Sequence, residues 1–509
     1  MDLQLDLFID HEPKDSAFDP DPVAHELKLK IAYAKPRRRQ GALTRYAASF
    51  DECRAIGSTL RERVQQADGA AVRTCVAALA GVSERALGGV TVGGAPDQAC
   101  GVVHIDVSAG AMWTDLGRLE LRHAAKSIHA DQVLPASHWV PKPIPAWLND
   151  HLSTLQFEWC ETVDMDRLVP LPPTSRGGLI VDADHVGRMR ATLPRFQAGL
   201  SALVLNLGVD ELTAALALND LTLVPRSRLF YVAVEAKDIY LACQDLYAQI
   251  GWTDVTAPAA DVAVGSKVVP KDSAPTAAWT QLCAHAEAHL PARRWILSKV
   301  IEHHNHFVVL VAWLLAFLLG ARESKVFPLS AAACRPGAMY VIYGDKRTGP
   351  FGSPRPALVC PTAQKQVHLY YSHLRALAQR GEVAAQGSPW LQHVRAILAG
   401  KDVSLLIRIK GDSVEPLGTA DVLAALPQGH GLAPNFGRHY WQTALHRAGL
   451  GSHVIDFYAR HVTRGTESMT STTLMPLITA HELVSAVQEE VIARLGIRPL
   501  AGQGQRSRT

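Results

Sequence analysis

Residues 435–461 read NFGRHYWQTALHRAGLGSHVIDFYARH, and the reading of the whole chain turns on this stretch. Arg438 and His439 head one helix-like segment, and His461 stands at the foot of the next. Gly449 is placed to cap the first helix and Ser452 to start the second, because glycine readily takes the left-handed conformation past a helix end and serine favours N-termini. That turn is expected to fold His461 back toward Arg438. No tyrosine occurs between His461 and Thr509.

Upstream, two more cationic positions stand out. Arg322 follows the apolar run FVVLVAWLLAFLLG (307–320), and Lys346 lies in YGDKRTGPFGSPRPALV, which reads as a hairpin of two apolar strands around a Gly-Pro turn. Taken singly, each has an ordinary explanation: a surface ion pair for the arginine, edge protection for the lysine, a helix-dipole partner for the histidine. Their order and spacing suggest more. From 293 to 355 the chain carries nine Lys or Arg, including Arg347 and Arg355, against three acids. This local excess fits a wall facing nucleic acid.

The chain has 509 residues, 48% hydrophobic and 19% charged, with a net charge of +3. Enough apolar surface is available for several cores, and the small net charge leaves the question of partners to local clustering. Eight dispersed cysteines without a Cys-x-x-Cys pair read as reduced thiols of a cytoplasmic protein. The acidic start MDLQLDLFID lacks the basic head of a signal peptide. The 307–320 run falls short of the ~20 residues that a membrane span needs and reads as a core helix, so no membrane association is expected.

The expected fold class is multidomain and mainly α with small β elements. Its segments are a tail of mixed charge (1–40), an N-terminal mixed α/β domain (41–175), a helical domain (183–290), an α+β domain (291–492) and a basic tail (493–509). The breaker cluster VPLPPTSRGG marks one boundary. Helical spacing of Leu241, Leu246 and Ile250 supports the helical domain, and 257–275 reads as a linker. His285, His289, His303, His304 and His306 cluster without a Glu-x-x-His motif or a Cys pair. Glu302-His303-His304-Asn305-His306 reads as a polar helix start, and no metal or cofactor is expected. GGVTVGGA lacks the lysine of a phosphate-binding loop.

The order of these positions resembles the catalytic domain of the tyrosine recombinases, the phage integrase superfamily, over roughly residues 290–490. Gly320-Ala321-Arg322 matches the family's first box, Lys346 its hairpin lysine, and Asn435-Phe436-Gly437-Arg438-His439 its second box. Leu445-His446-Arg447-Ala448-Gly449 matches the turn that follows, and Arg460-His461 the end of the next helix. The resemblance implies an α+β catalytic domain preceded by a helical DNA-clamping domain at 183–290. It implies double-stranded DNA as partner, an oligomer on that DNA, and partner recombinases of the same mobile element in the bacterial cytoplasm at the nucleoid. Arg322 and Arg438 would clamp non-bridging oxygens through bidentate bonds, Lys346 would donate a proton and His461 would hydrogen-bond the phosphate. Arg347, Arg355 and His439 would contact DNA.

Two positions depart from the family. The second box opens on Asn435, which donates hydrogen bonds but shuttles no proton near neutral pH. The nucleophilic tyrosine, expected about one short helix beyond His461, is missing from VTRGTESMTSTTLMPLITAHELVSAVQ. The expectation is a protein that takes part in recombination or integration but binds DNA without cutting it. The alternatives are a tyrosine supplied in trans, a hydroxyl such as Ser468 or Thr470 as nucleophile, or a scaffold protein that has kept only the fold. Tyr458 reads as a core residue beside Val454 and Ile455.

Overall fold

The computed structural model describes residues 21–28, 47–97, 100–119, 131–156, 162–170, 191–221, 223–224, 226–253, 255, 262–291, 296–344, 354–426, 435–459 and 476–503. Helices dominate, joined by small sheets. Buried apolar side chains form two large clusters, one running from Val23 to Val264 and the other from Ala278 to Ile497.

The first cluster is built on helices α1 (Phe50–Gln65), α2 (Gly69–Ala80), α3 (Leu193–Asn206), α4 (Glu211–Leu218), α5 (Arg226–Tyr231) and α6 (Ala236–Gln249). They pack around a five-stranded sheet. Its order is Trp139–Pro143, Ala111–Asp115, Val103–Asp106, Val90–Gly93, Val163–Asp164. Only the Val90–Gly93 and Val103–Asp106 pair is parallel. Both of these strands are buried along their whole length, as expected of strands covered on both faces. The start of α1 has a complete capping box, Ser49 with Glu52.

The cores group the chain differently from the expected segments. Side chains of 41–175 and of 191–250 share the first cluster, whereas α7 (Ser273–Ala288), expected with 183–290, buries Ala278, Trp279, Leu282 and Ala286 in the second. The stretch read as a linker contributes the strand Ala263–Gly265, paired with Ala233–Glu235 and Ala136–Ser137, and it buries Ser266, Val268 and Val269. Its Val-Ala-Val alternation was the available signal. Leu241 is 41% exposed. The buried face of α6 is Ile239, Ala242, Cys243 and Leu246, continuing to Ile250, a 3.6-residue period from which Leu241 is displaced by more than a quarter turn.

The second cluster surrounds α8 (Leu297–Leu318). From Phe307 to Leu319 every side chain is buried, and a helix apolar all round requires protein or lipid on every side. It is the one described helix long and apolar enough to cross a membrane, and α7 and α9 (Pro361–Ala384) pack along it. The Glu302–His306 stretch does not start this helix. It lies in its second and third turns, with His303 and His304 buried. The hairpin forms as expected, Tyr340–Gly344 against Pro354–Leu358 in antiparallel register.

The 435–461 stretch yields α10 (Phe436–Arg447) and α11 (Ser452–Ala459), and α12 (Leu477–Arg494) closes the core. Gly449 is left-handed at φ 73°, as its capping role requires. At Gly437, α10 crosses α8 so closely that a Cβ would stand 2.7 Å from the Phe317 carbonyl oxygen and 2.8 Å from that of Ala316.

Candidate functional site

The site begins where α8 stops. Gly320 takes φ 52°, and a Cβ there would lie 2.5 Å from the Tyr458 hydroxyl, so glycine is required both by conformation and by space. The chain then passes through buried Ala321 to half-buried Arg322, which precedes the short helix Glu323–Val326.

The start of α10 meets this turn. Asn435 is left-handed at φ 63°, a conformation that asparagine tolerates. Its backbone N–H donates to both Glu323 carboxylate oxygens, at 2.8 and 3.0 Å, and its carbonyl accepts from the amides of Arg438 and His439. Arg438 Nε donates to the Gly320 carbonyl at 3.1 Å. The start of α10 is therefore fixed to the turn that carries Gly320, Arg322 and Glu323. Glu323 was not anticipated; the only signal was an acid directly after the arginine of the first box. Burial raises its carboxyl pKa, while backbone hydrogen bonds and the Arg438 charge act in the opposite direction.

The junction is closed. Arg438 is 1% exposed, and its guanidinium carbon lies 5.5 Å from the centre of the Tyr231 ring, a cation–π distance. His439 is also buried. Its Nδ1 lies 2.8 Å from Ser266 Oγ, and its ring stands 4.7 Å from Tyr231 and 5.7 Å from Phe230. The Ala233 amide donates to Thr443 Oγ1 at 3.1 Å. The face of α10 expected to meet DNA is thus covered by α5 and the Ala263–Gly265 strand end from the first core. His439, expected as a DNA contact, is occupied within the protein because these aromatic rings fill the space before it.

The next helix is held in the same way. Ser452, the first residue of α11, receives the Arg228 guanidinium on its hydroxyl and its carbonyl, and Arg228 also donates to Asp456 at 3.1 Å. Arg228 is 1% exposed, so this is a buried ionic contact between the two cores.

The two tyrosines of the stretch are committed to packing. Tyr458, buried as expected, donates to the Leu318 carbonyl at 2.9 Å. Burial raises its pKa well above the phenol value, with Arg438 acting in the opposite direction. Tyr440 donates to Asp272 at 2.8 Å and is likewise raised by burial. Neither presents an ionisable hydroxyl to solvent. Lys346, Arg347, His461, Ser468 and Thr470 lie outside the described residues, and of Arg355 only the backbone, on the second hairpin strand, is described.

No family model, no curated protein and no solved structure matches the chain.

Proposed function

We propose that this chain is a DNA-binding, tyrosine-recombinase-like protein that takes part in recombination or integration of a mobile element and forms no covalent DNA link of its own. The observation that carries the reading is the hydrogen bond from Arg438 to the Gly320 carbonyl. It sets Arg438 against the turn that leads into Arg322, which supports a reading in which two guanidiniums flank one phosphate. The lack of a tyrosine after Tyr458, together with the burial of Tyr440 and Tyr458, supports the absence of autonomous strand cleavage. A nucleophile from a partner recombinase, or from Ser468 or Thr470, is the catalytic form of the same reading.

A second reading, an interaction protein that has kept only the fold, draws support from the 1% exposure of Arg438 beneath Tyr231. Phosphate contact by Arg438 requires the α5 cover to lift, whereas half-buried Arg322 stands nearer the surface. The two readings separate in a fluorescence anisotropy titration of a labelled mixed-sequence duplex. Under the DNA reading, affinity falls steeply with salt, with a log–log slope of about −0.9 for each phosphate neutralised, and Arg322→Ala weakens binding. Binding that is absent at low salt, or unchanged between low and physiological salt, overturns it.

A further inference from the structure

We propose that His289, Glu302 and His306 form a binding site for a divalent transition metal of the zinc class, which staples the end of α7 to α8. One ligand atom from each residue lies within 4.8 Å of the others. All three side chains are half-buried, within reach of solvent but not freely mobile.

Several details fit a metal better than an accidental cluster. His289 Nδ1 lies 2.8 Å from the His285 carbonyl. That bond holds the proton on Nδ1 and leaves the Nε2 lone pair free, the tautomer found in most metal-ligating histidines. Nε2 in turn lies 3.5 Å from Glu302 Oε1. Tetrahedral ligands at zinc bond lengths stand about 3.3 Å apart, so this pair is already near coordination spacing. The other Glu302 oxygen is held by Lys299 Nζ at 2.8 Å. This orients the carboxylate with Oε1 toward the histidines, an outer-shell contact on the second ligand. Glu302 and His306 are four residues apart on α8 and so share a face.

The His289 and His306 rings stack at 3.9 Å with a 21° interplanar angle. Metal capture swings half-buried His306 about its side-chain torsions, so that both lone pairs meet at one point. Two imidazoles and one carboxylate favour zinc, nickel, cobalt or copper over magnesium or calcium, which take oxygen ligands. A fourth position is left for water. The sequence hid the set because its ligands come from two helices with no recognised spacing.

The site is remote from the arginine junction in sequence and does not depend on the DNA reading. Its test is calorimetric titration of the full chain with zinc after chelator treatment and desalting, paired with zinc K-edge X-ray absorption. One equivalent should bind with imidazole ligation and raise the melting temperature. His306→Ala and Glu302→Gln should each weaken binding more than about tenfold, since loss of even an outer-shell partner costs about 10–100-fold. His368→Ala, at an exposed position on α9, should leave binding unchanged. Absence of saturable binding, or undiminished affinity in His289→Ala/His306→Ala, overturns the proposal. The absorption spectrum of the unsubstituted protein decides independently of how any variant folds: two imidazoles support the site, and a shell of sulfur or oxygen alone refutes it.

Discussion

Arg438 reaches across 118 residues of sequence to hydrogen-bond the carbonyl of Gly320. The bond joins the end of the apolar helix α8 to the start of α10, and it depends on two glycines. Gly320 admits the Tyr458 ring, and Gly437 admits the α8 backbone.

Gly437→Ala should therefore destabilise the second core. The added methyl meets two carbonyl oxygens that belong to backbone, so relief requires α8 and α10 to separate. The expected loss is roughly 1–3 kcal/mol, the usual cost of overpacking, read as a lower urea midpoint. Gly94→Ala, where no neighbouring atom lies within 4 Å, serves as the control and should change little.

Tyr458→Phe should cost about 1 kcal/mol or less, because the Leu318 carbonyl keeps a second donor in Gln488 Nε2 at 2.8 Å. If Tyr458 is a packing residue, a nicked suicide duplex traps no adduct with either the wild type or the variant. A wild-type adduct on denaturing gels that disappears in Tyr458→Phe would show that the hydroxyl reacts.

Acid should weaken the protein before most carboxylates titrate. His304 and His373 are fully buried and linked in series. His304 Nε2 donates to the Ile407 carbonyl at 3.1 Å, His304 Nδ1 accepts from His373 Nε2 at 3.1 Å, and His373 Nδ1 accepts from the Gln503 amide at 3.1 Å. Every ring nitrogen is satisfied only in the neutral form. Burial holds His304 down to about 4 and His373 well below the usual histidine value. Folded values below the unfolded value of about 6.5 mean that the unfolded chain takes up protons which the folded chain refuses. Stability is then complete above pH ~6.5 and falls as pH drops toward 4, by about 1.4 kcal/mol per pH unit for each histidine. Urea midpoints at pH 7.5, 6.0 and 5.0 should decline steadily, and a constant midpoint would contradict the neutral chain.

Arg228→Met should loosen the contact between the cores. It leaves Asp456, 8% exposed, without its guanidinium partner, and breaking a buried pair costs about 3–5 kcal/mol. Adding Asp456→Ala should restore part of that loss, because the buried carboxylate that the guanidinium balanced is then gone. A double-mutant cycle with additive terms would show that the pair carries no coupling.

The sequence by itself determined the elements around the candidate site. Helical periodicity and an uninterrupted apolar run specify α8, a left-handed glycine and a following serine separate α10 from α11, and two apolar stretches flanking a Gly-Pro pair specify the hairpin. These signals are local, because a side chain's place on a helix or strand depends only on residues a few positions away. Tyr458 was legible as core for the same reason. What covers each face was decided by tertiary structure alone. Nothing near Arg438 and His439 in the sequence announces that Tyr231, Phe230 and Ser266 bury them, and Ser266 lies 173 residues from its histidine partner. The grouping of His289 with Glu302 and His306 likewise exists only because α7 folds back on α8. Exposure and coordination are properties of what packs against a residue, and that depends on contacts between segments distant in sequence.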